Sequence, residues 1–162
     1  MVAAASLRER ALAALETVCD PEIPVLSIAD LGILRDVSVH DGVVEVTITP
    51  TYSGCPAMNL ITLEIETALD RAGIEARIRT SLSPAWTTDW LTDAGRGKLA
   101  AFGIAPPEHT ASRRVLFGEP HPVCPLCGSA DTEQISEFGS TACKSLHRCR
   151  ACREPFDAFK CH

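Results

Sequence analysis

The sequence predicts an α+β domain, built as a small three-stranded sheet with packed helices, followed by a zinc-ribbon-like domain. The N-terminal part shows helical and strand periodicity in the order helix, strand, strand, helix, strand, helix. The C-terminal part carries two Cys-x-x-Cys pairs. With 162 residues, of which 46% are hydrophobic, the chain is long enough for one substantial core and a small appendage.

Three parts are expected along the chain. Residues 1–104 form the α+β domain, residues 105–122 form a linker rich in proline, and residues 123–162 form the four-cysteine zinc-binding ribbon. The ribbon is too short to fold on a hydrophobic core alone, so we expect it to depend on a bound metal.

The first elements follow from apolar spacing. Residues 6–18 predict a helix, because apolar side chains recur every three or four positions. A hairpin follows, in which valines alternate on either side of Asp41-Gly42, a pair typical of the type I′ turn. A two-residue turn places Val39 opposite Val44 and Val37 opposite Val46.

The remaining elements of the first domain are another helix, a strand and a last helix. Pro56 suits the first turn of the second helix, and Gly73 is suited to end it. Alternating apolar residues over 74–82 predict the third strand. Residues 88–102 predict the last helix, although its two glycines weaken it by about 1 kcal/mol each relative to alanine.

Charge and hydropathy exclude several classes of partner. Residues 1–104 carry 8 basic and 14 acidic side chains, and residues 105–162 carry 7 of each, so the net charge of −6 lies in the first part. An acidic domain opposes nucleic acid binding. No apolar run is long enough for a membrane helix, and the N-terminus lacks a signal-peptide core. We therefore expect a cytoplasmic protein whose cysteines are thiols or metal ligands rather than disulfides.

The two cysteine pairs predict a metal site. Four thiolates on two tight turns close a tetrahedral shell with no open position, which indicates a structural site. Zinc is the expected metal, with iron as the alternative. The proposed ligands are Cys124, Cys127, Cys149 and Cys152. Cys143 and Cys161 are additional thiols, either without a metal role or able to replace one of these ligands.

Cys55 is the single residue most suited to chemistry outside the ribbon. It stands between Gly54 and Pro56, where the second helix is expected to begin. Amides and the helix dipole at that end stabilise a thiolate, which would lower the pKa of Cys55 and make it a nucleophile or metal ligand. The alternative is a small residue that fills the helix entrance.

Acidic and aromatic residues supply further candidates. Asp20 and Glu22 flank Pro21 on a rigid loop, where they serve either as oxygen ligands or acid–base groups, or simply as turn formers. Asp30 has the same two interpretations. The two tryptophans, Trp86 and Trp90, either floor a pocket or pack in the core.

Several longer motifs together resemble a known family. The segments that resemble the small domain of iron–sulfur cluster assembly and targeting factors are Asp20-Pro-Glu-Ile-Pro-Val25, Asp30-Leu-Gly32, Thr49-Pro-Thr-Tyr-Ser-Gly-Cys-Pro-Ala57 and Pro84-Ala-Trp-Thr-Thr-Asp89. With Ile135-Ser-Glu-Phe-Gly-Ser-Thr-Ala-Cys-Lys144 and Arg153-Glu-Pro-Phe-Asp157, the whole chain resembles the PaaD family, also called PaaJ. These are small accessory components of the bacterial phenylacetyl-CoA epoxidase system.

The resemblance implies a role in phenylacetate catabolism. That pathway epoxidises phenylacetyl-CoA with a di-iron oxygenase and a reductase that carries flavin and an iron–sulfur centre, and these subunits are the implied partners. It implies a non-catalytic accessory protein that assists maturation of the iron or iron–sulfur centre. The implied functional positions are Cys55, Asp20 and Glu22. One thiol holds a transient cluster only weakly, so a homodimer or a client protein would supply the missing ligands.

Two other functions stay open. A structural or docking subunit of the oxygenase complex would need no metal transfer. An enzyme acting on a CoA thioester would use Cys55 as nucleophile, but no histidine base is placed by the sequence and no loop for the CoA phosphates is evident. We expect partners among the oxygenase or reductase subunits, and neither nucleic acid nor a membrane.

Overall fold

The computed structural model describes residues 5–109 and 121–160. The chain divides into two compact units, Met1–Trp86 and Thr87–His162, each containing one β-sheet. The first sheet has three strands and packs against helices, so the predicted α+β class is confirmed. No helix within these described ranges is both long and apolar enough to cross a membrane.

The first unit begins with α1 (Leu7–Leu15). Ser6 and Glu9 form a capping box, in which each side chain accepts a hydrogen bond from the other residue's backbone amide. The helix buries Ala11 and Leu15 on its inner face. It ends at Leu15, three residues before the predicted end at residue 18.

The predicted hairpin is formed by β1 (Leu34–His40) and β2 (Val43–Ile48), which are antiparallel. The turn residues Asp41 and Gly42 have φ angles of 50° and 82°, and positive values at both positions define the type I′ turn. Each valine pair predicted for this turn is present, with Val39 opposite Val44 and Val37 opposite Val46. The predicted register is therefore confirmed.

A helix and a parallel strand complete the first sheet. Helix α2 (Met58–Arg71) buries Ile61, Ile65 and Leu69, and Gly73 follows it with a φ of 66°. Strand β3 (Ala76–Thr80) then pairs with β2 in parallel, which gives the order β1-β2-β3. β2 is therefore the central strand, and α2 is the crossover connection that its parallel pairing with β3 requires.

The second unit begins with a 3-10 turn (Thr88–Trp90) and α3 (Asp93–Ala101). The helix predicted over residues 88–102 is thus interrupted at Leu91, whose backbone is extended. Thr92 then caps α3 by accepting a hydrogen bond from the Gly95 amide at 2.9 Å.

Four strands form the second sheet, in the order β4-β7-β6-β5. They are β4 (Ile104–Ala105), β5 (Thr132–Ser136), β6 (Lys144–Cys149) and β7 (Pro155–Phe159). The short β4 pairs with β7 in parallel, and the other two neighbouring pairs are antiparallel.

The core of this sheet joins Ala105 to cysteines and to Phe156 and Ala158. The predicted limits of the three parts, 1–104, 105–122 and 123–162, remain a prediction. In the structure β4 pairs with the ribbon sheet, and the helix before it lies in the same unit. Residues 110–120 of the predicted linker lie outside the described residues.

Candidate metal centre and thiol site

The structure brings together the four sulfur atoms that the sequence predicts as a metal site. Cys124, Cys127, Cys149 and Cys152 have their Sγ atoms within 4.8 Å of one another. The Sγ distance is 3.8 Å from Cys124 to Cys152 and 3.5 Å from Cys127 to Cys149. A tetrahedral ion with metal–sulfur bonds of about 2.3 Å separates its sulfurs by about 3.8 Å. The four residues therefore fit one four-thiolate ion.

Backbone geometry explains why the two cysteines of each pair lie on one tight turn. In the first turn the Gly128 amide donates to the Cys124 carbonyl at 2.9 Å, and Gly128 has a φ of 76°. In the second turn the Cys152 amide donates to Cys149 Sγ at 3.4 Å. Arg153, at the position equivalent to Gly128, also has a positive φ, of 67°. Both pairs therefore end in a left-handed residue that folds amides back toward sulfur.

Burial and hydrogen bonding make the four thiols unequal. Cys124 and Cys149 are buried, Cys152 is half-buried, and Cys127 is exposed. The Cys152 amide lowers the pKa of Cys149 to about 6. The Glu154 amide lowers the pKa of Cys152, but burial and the neighbouring Cys149 outweigh it and raise that pKa to about 12. Four thiols in contact cannot all ionise without a cation, so the cluster is suited to holding one.

The two additional thiols lie differently. Cys143 is buried, and its Sγ lies 3.0 Å from the Thr141 hydroxyl rather than in the four-sulfur cluster. Cys161 is outside the described residues. His147 is a core residue, stacked on Phe156 with ring centroids 5.7 Å apart and bonded through Nε2 to the Ser145 hydroxyl at 2.9 Å.

Cys55 lies in the loop before α2 and is half-buried. Burial raises the pKa of Cys55, the Ala57 amide lowers it, and the charges of Glu22 and Asp20 raise it further. The net shift is upward, so the lowered pKa predicted from the helix end is wrong. The helix begins only at Met58, and one amide hydrogen bond does not offset burial and two negative charges.

Folding brings Asp20 and Glu22 close enough to Cys55 for their charges to raise the pKa of its thiol, although at least 33 positions separate them from it in the sequence. Asp20 is buried, and its Oδ1 accepts hydrogen bonds from the amides of Glu22 at 2.8 Å and Ile23 at 2.9 Å. Among the described residues only the four ribbon cysteines gather three or more metal-binding side chains. The structure therefore does not gather Cys55, Asp20 and Glu22 into one metal-binding group.

The other candidates from the sequence have structural contacts. The Ser27 amide donates to Asp30 Oδ2 at 3.1 Å, and the Asp30 amide donates to the Ser27 hydroxyl at 3.0 Å. Trp86 is buried, and its indole Nε1 donates to the Leu31 carbonyl at 2.8 Å. Trp90 is partly buried in the second unit. Core packing is thus the interpretation that Trp86 supports.

Three exposed residues of the first unit were not singled out from the sequence. Cys19 directly precedes Asp20 and is an exposed thiol. Leu60 and Leu63 project from α2 with 43% and 55% of their surface exposed. The sequence indicates their exposure only through their positions on the helix, since neither leucine falls on the buried face defined by Ile61 and Ile65.

Two family models match the chain, and they match different units. A model described as "Iron-sulfur cluster assembly protein" matches residues 8–78, which cover most of the first sheet and the loops of Cys55 and Asp20. A model described as "PaaD zinc beta ribbon domain" matches residues 108–160, which contain all four clustered cysteines.

One similar protein covers nearly the whole chain, and another covers about half of it. An Escherichia coli (strain K12) protein, provisionally named as one of the subunits of 1,2-phenylacetyl-CoA epoxidase, is 47% identical over 150 residues, covering 92% of this chain and 90% of that protein. The Fe-S protein maturation auxiliary factor YitW of Bacillus subtilis (strain 168) is 36% identical over 89 residues, covering 54% of this chain and 84% of that protein.

A solved structure from Bacillus anthracis, described as a domain of unknown function DUF59, is similar with a TM-score of 0.53 and 25% identity. It covers 57% of this chain and 91% of its own length. The first unit thus has the fold of that domain, and the E. coli relative extends the similarity through both units. Because the 47% identity extends over nearly the full length of both chains, this chain belongs to the PaaD family, whose E. coli relative is named as part of 1,2-phenylacetyl-CoA epoxidase.

Proposed function

We propose that this protein is a non-catalytic accessory protein of phenylacetate catabolism that assists maturation of the phenylacetyl-CoA epoxidase. In this role Cys55, Asp20 and Glu22 handle iron or an iron–sulfur cluster in transit to the oxygenase or reductase. The observation that supports it most is that residues 8–78, matched by the iron–sulfur cluster assembly model, contain all three residues, with Cys55 half-buried in the loop before α2. The iron–sulfur names of the family model and of the B. subtilis relative agree with this assignment.

The chemistry of this site suits transient binding. A half-buried thiol near two carboxylates stays protonated at neutral pH, because burial raises its pKa and both negative charges raise it further. An arriving iron cation is attracted by the same charges and displaces the thiol proton. Since these three side chains do not gather into one metal-binding group, the cargo is held weakly, and a client or a second copy of the chain supplies the other ligands. Weak holding favours release to the client.

The ribbon metal has a separate, structural role in this proposal. One zinc ion is held by Cys124, Cys127, Cys149 and Cys152. Its role is structural because a closed four-thiolate shell leaves no position for substrate or water. Iron is the alternative metal, since thiolates accept both. The bound ion folds the cytoplasmic ribbon and takes no part in transfer.

The test is the metal and acid-labile sulfide content of protein purified without oxygen, with an optical spectrum. The wild type is compared with Cys55→Ser and with Cys19→Ser, in which an exposed thiol outside the proposed site is replaced. We expect zinc in all three, and iron with sulfide in the wild type and Cys19→Ser only. Epoxidase produced in cells that carry Cys55→Ser should be deficient in iron.

Full iron occupancy of the epoxidase in Cys55→Ser cells would overturn the transfer role. It would favour a second candidate, a docking subunit of the oxygenase complex with no metal-transfer role. That candidate is supported by the provisional name of the E. coli relative, which places that protein in the epoxidase. It predicts that Cys55→Ser is silent, whereas removal of residues 120–162 abolishes association.

A further inference from the structure

The outward face of α2 carries two leucines that the fold leaves uncovered. The helix buries Ile61, Ile65 and Leu69 against the first sheet. Leu60 and Leu63, three positions apart, point away from that face and are 43% and 55% exposed. Residues three apart are neighbours on a helix surface, so the two side chains form one apolar patch, called here the Leu60–Leu63 patch.

Acidic side chains surround this patch. Glu64 is four positions after Leu60, and Glu66 is three positions after Leu63, so each lies on an adjacent helix row. Both glutamates are exposed. Residues 1–86 as a whole carry six basic and twelve acidic side chains, a net charge of −6. The patch is therefore an apolar centre in an acidic field.

A groove continues the patch toward α1. It has a volume of about 460 Å³ and is lined by Glu64, Thr67 and Arg71 of α2, by Ala14 of α1 and by Val18 in the loop after α1, among others. Glu64 borders both the groove and the patch. A partner side chain placed against the leucines can thus extend into a recess of mixed polarity, in which Glu64 and Arg71 are the charged side chains.

We propose that the Leu60–Leu63 patch is the docking surface for the client protein, and that the client presents a basic surface with an apolar centre. The proposal rests on the proposed function, since Leu60 follows Cys55 by five residues at the same end of α2. Complementary charge selects this occupant. A second copy of the chain would bring another unit of net charge −6 against the first, which opposes association through this face.

The experiment measures binding by calorimetry between the full-length protein and the purified oxygenase and reductase components of the epoxidase. The variant is the double substitution Leu60→Ser with Leu63→Ser. The matched control is Leu82→Ser, which alters a leucine of the first unit that is 60% exposed. We expect the double variant to lose at least about tenfold in affinity for one component, and Leu82→Ser to bind like the wild type. Circular dichroism checks that each variant is folded.

Salt and charge variants test the partner's chemistry. Affinity should fall between about 50 mM and about 500 mM salt, and Glu64→Gln with Glu66→Gln should weaken both the affinity and this salt dependence. Unchanged affinity in the leucine variant, or no binding of wild type to either component, overturns the proposal. A wild-type dimer dispersed by the leucine variant but not by Leu82→Ser would also overturn it, by making the patch a self-interface.

Binding and transfer can fail separately. If Cys55→Ser binds its component normally but delivers no iron, both proposals stand. If Cys55→Ser delivers iron normally while the leucine variant loses binding, the docking surface stands and the transfer role of the thiol falls.

Discussion

The indole Nε1 of Trp86 donates a hydrogen bond of 2.8 Å to the backbone carbonyl of Leu31, across 55 positions of sequence. Both side chains are buried. The bond joins the Asp30-Leu-Gly32 loop to the Pro84-Ala-Trp segment, two motifs whose sequences gave no sign of contact. It fixes the loop by giving the Leu31 carbonyl a donor inside the protein, where water does not supply one.

Replacing Trp86 by Phe should therefore destabilise the first unit by about 1–3 kcal/mol, because the Leu31 carbonyl loses its donor. Native-state hydrogen exchange of the β1–β3 amides measures this change. The comparison is Leu82→Ala, at an exposed position, where a change of about 0.5 kcal/mol or less is expected. Equal protection in Trp86→Phe and wild type would contradict the importance of this bond.

Alkylation by iodoacetamide should report the environment of Cys55. The thiolate is the reacting form, and the raised pKa of Cys55 means that little thiolate exists at neutral pH. Glu22→Gln removes a negative charge, so the pKa falls and the rate at a fixed pH rises by at least about twofold. Mass spectrometry of the Cys55 peptide measures the rate. Glu75→Gln is the control, and an equal effect there would rule out a local action of Glu22.

Substitutions of ribbon cysteines inside and outside the four-sulfur cluster should have different effects on the amount of bound metal. Cys149→Ser removes a buried member of the four-sulfur cluster, so bound metal should fall from about one ion per chain to nearly none. Protection of the β5–β7 amides should be lost with it. Cys143→Ala, at a buried thiol outside the cluster, should keep its metal. Metal loss in Cys143→Ala would instead favour the arrangement in which Cys143 replaces a ligand.

Two glycines in the second unit should respond in opposite directions. A Cβ at Gly139 would collide with the Asp157 side chain, which accepts the Ser140 hydroxyl at 2.7 Å and lies 3.9 Å from the buried amine of Lys144. Gly139→Ala should cost about 1–3 kcal/mol. Gly97→Ala, on an exposed turn of α3 with nothing within 4 Å, should gain about 0.5–1 kcal/mol. Thermal denaturation of the metal-loaded chain tests both.

Local sequence was sufficient where the structure depends on neighbouring residues. Asp41-Gly42 specifies a turn that only one register satisfies, so the pairing of β1 with β2 was predictable residue by residue. Each Cys-x-x-Cys pair also forms its turn from residues adjacent in the sequence. Two such turns usually come together, which is why the four-sulfur cluster could be expected.

Features made by distant segments were not predictable in this way. The pKa of Cys55 depends on Asp20 and Glu22, which reach it only after folding, and the helix-end argument alone gave the wrong direction. Strand β4 has two residues, too few for any periodic signal, and its partner β7 lies some fifty positions later.

That short strand also protects the ribbon from wrong association. In the order β4-β7-β6-β5, β4 lies beside β7 and pairs with backbone groups that would otherwise form an open sheet edge. Pro106 and Pro107 follow at once and lack the amides needed to extend the pairing. A ribbon fragment that begins after residue 122 would expose the β7 edge and tend to aggregate. The strand that covers this edge thus lies before residues 108–160, the range that the ribbon family model matches.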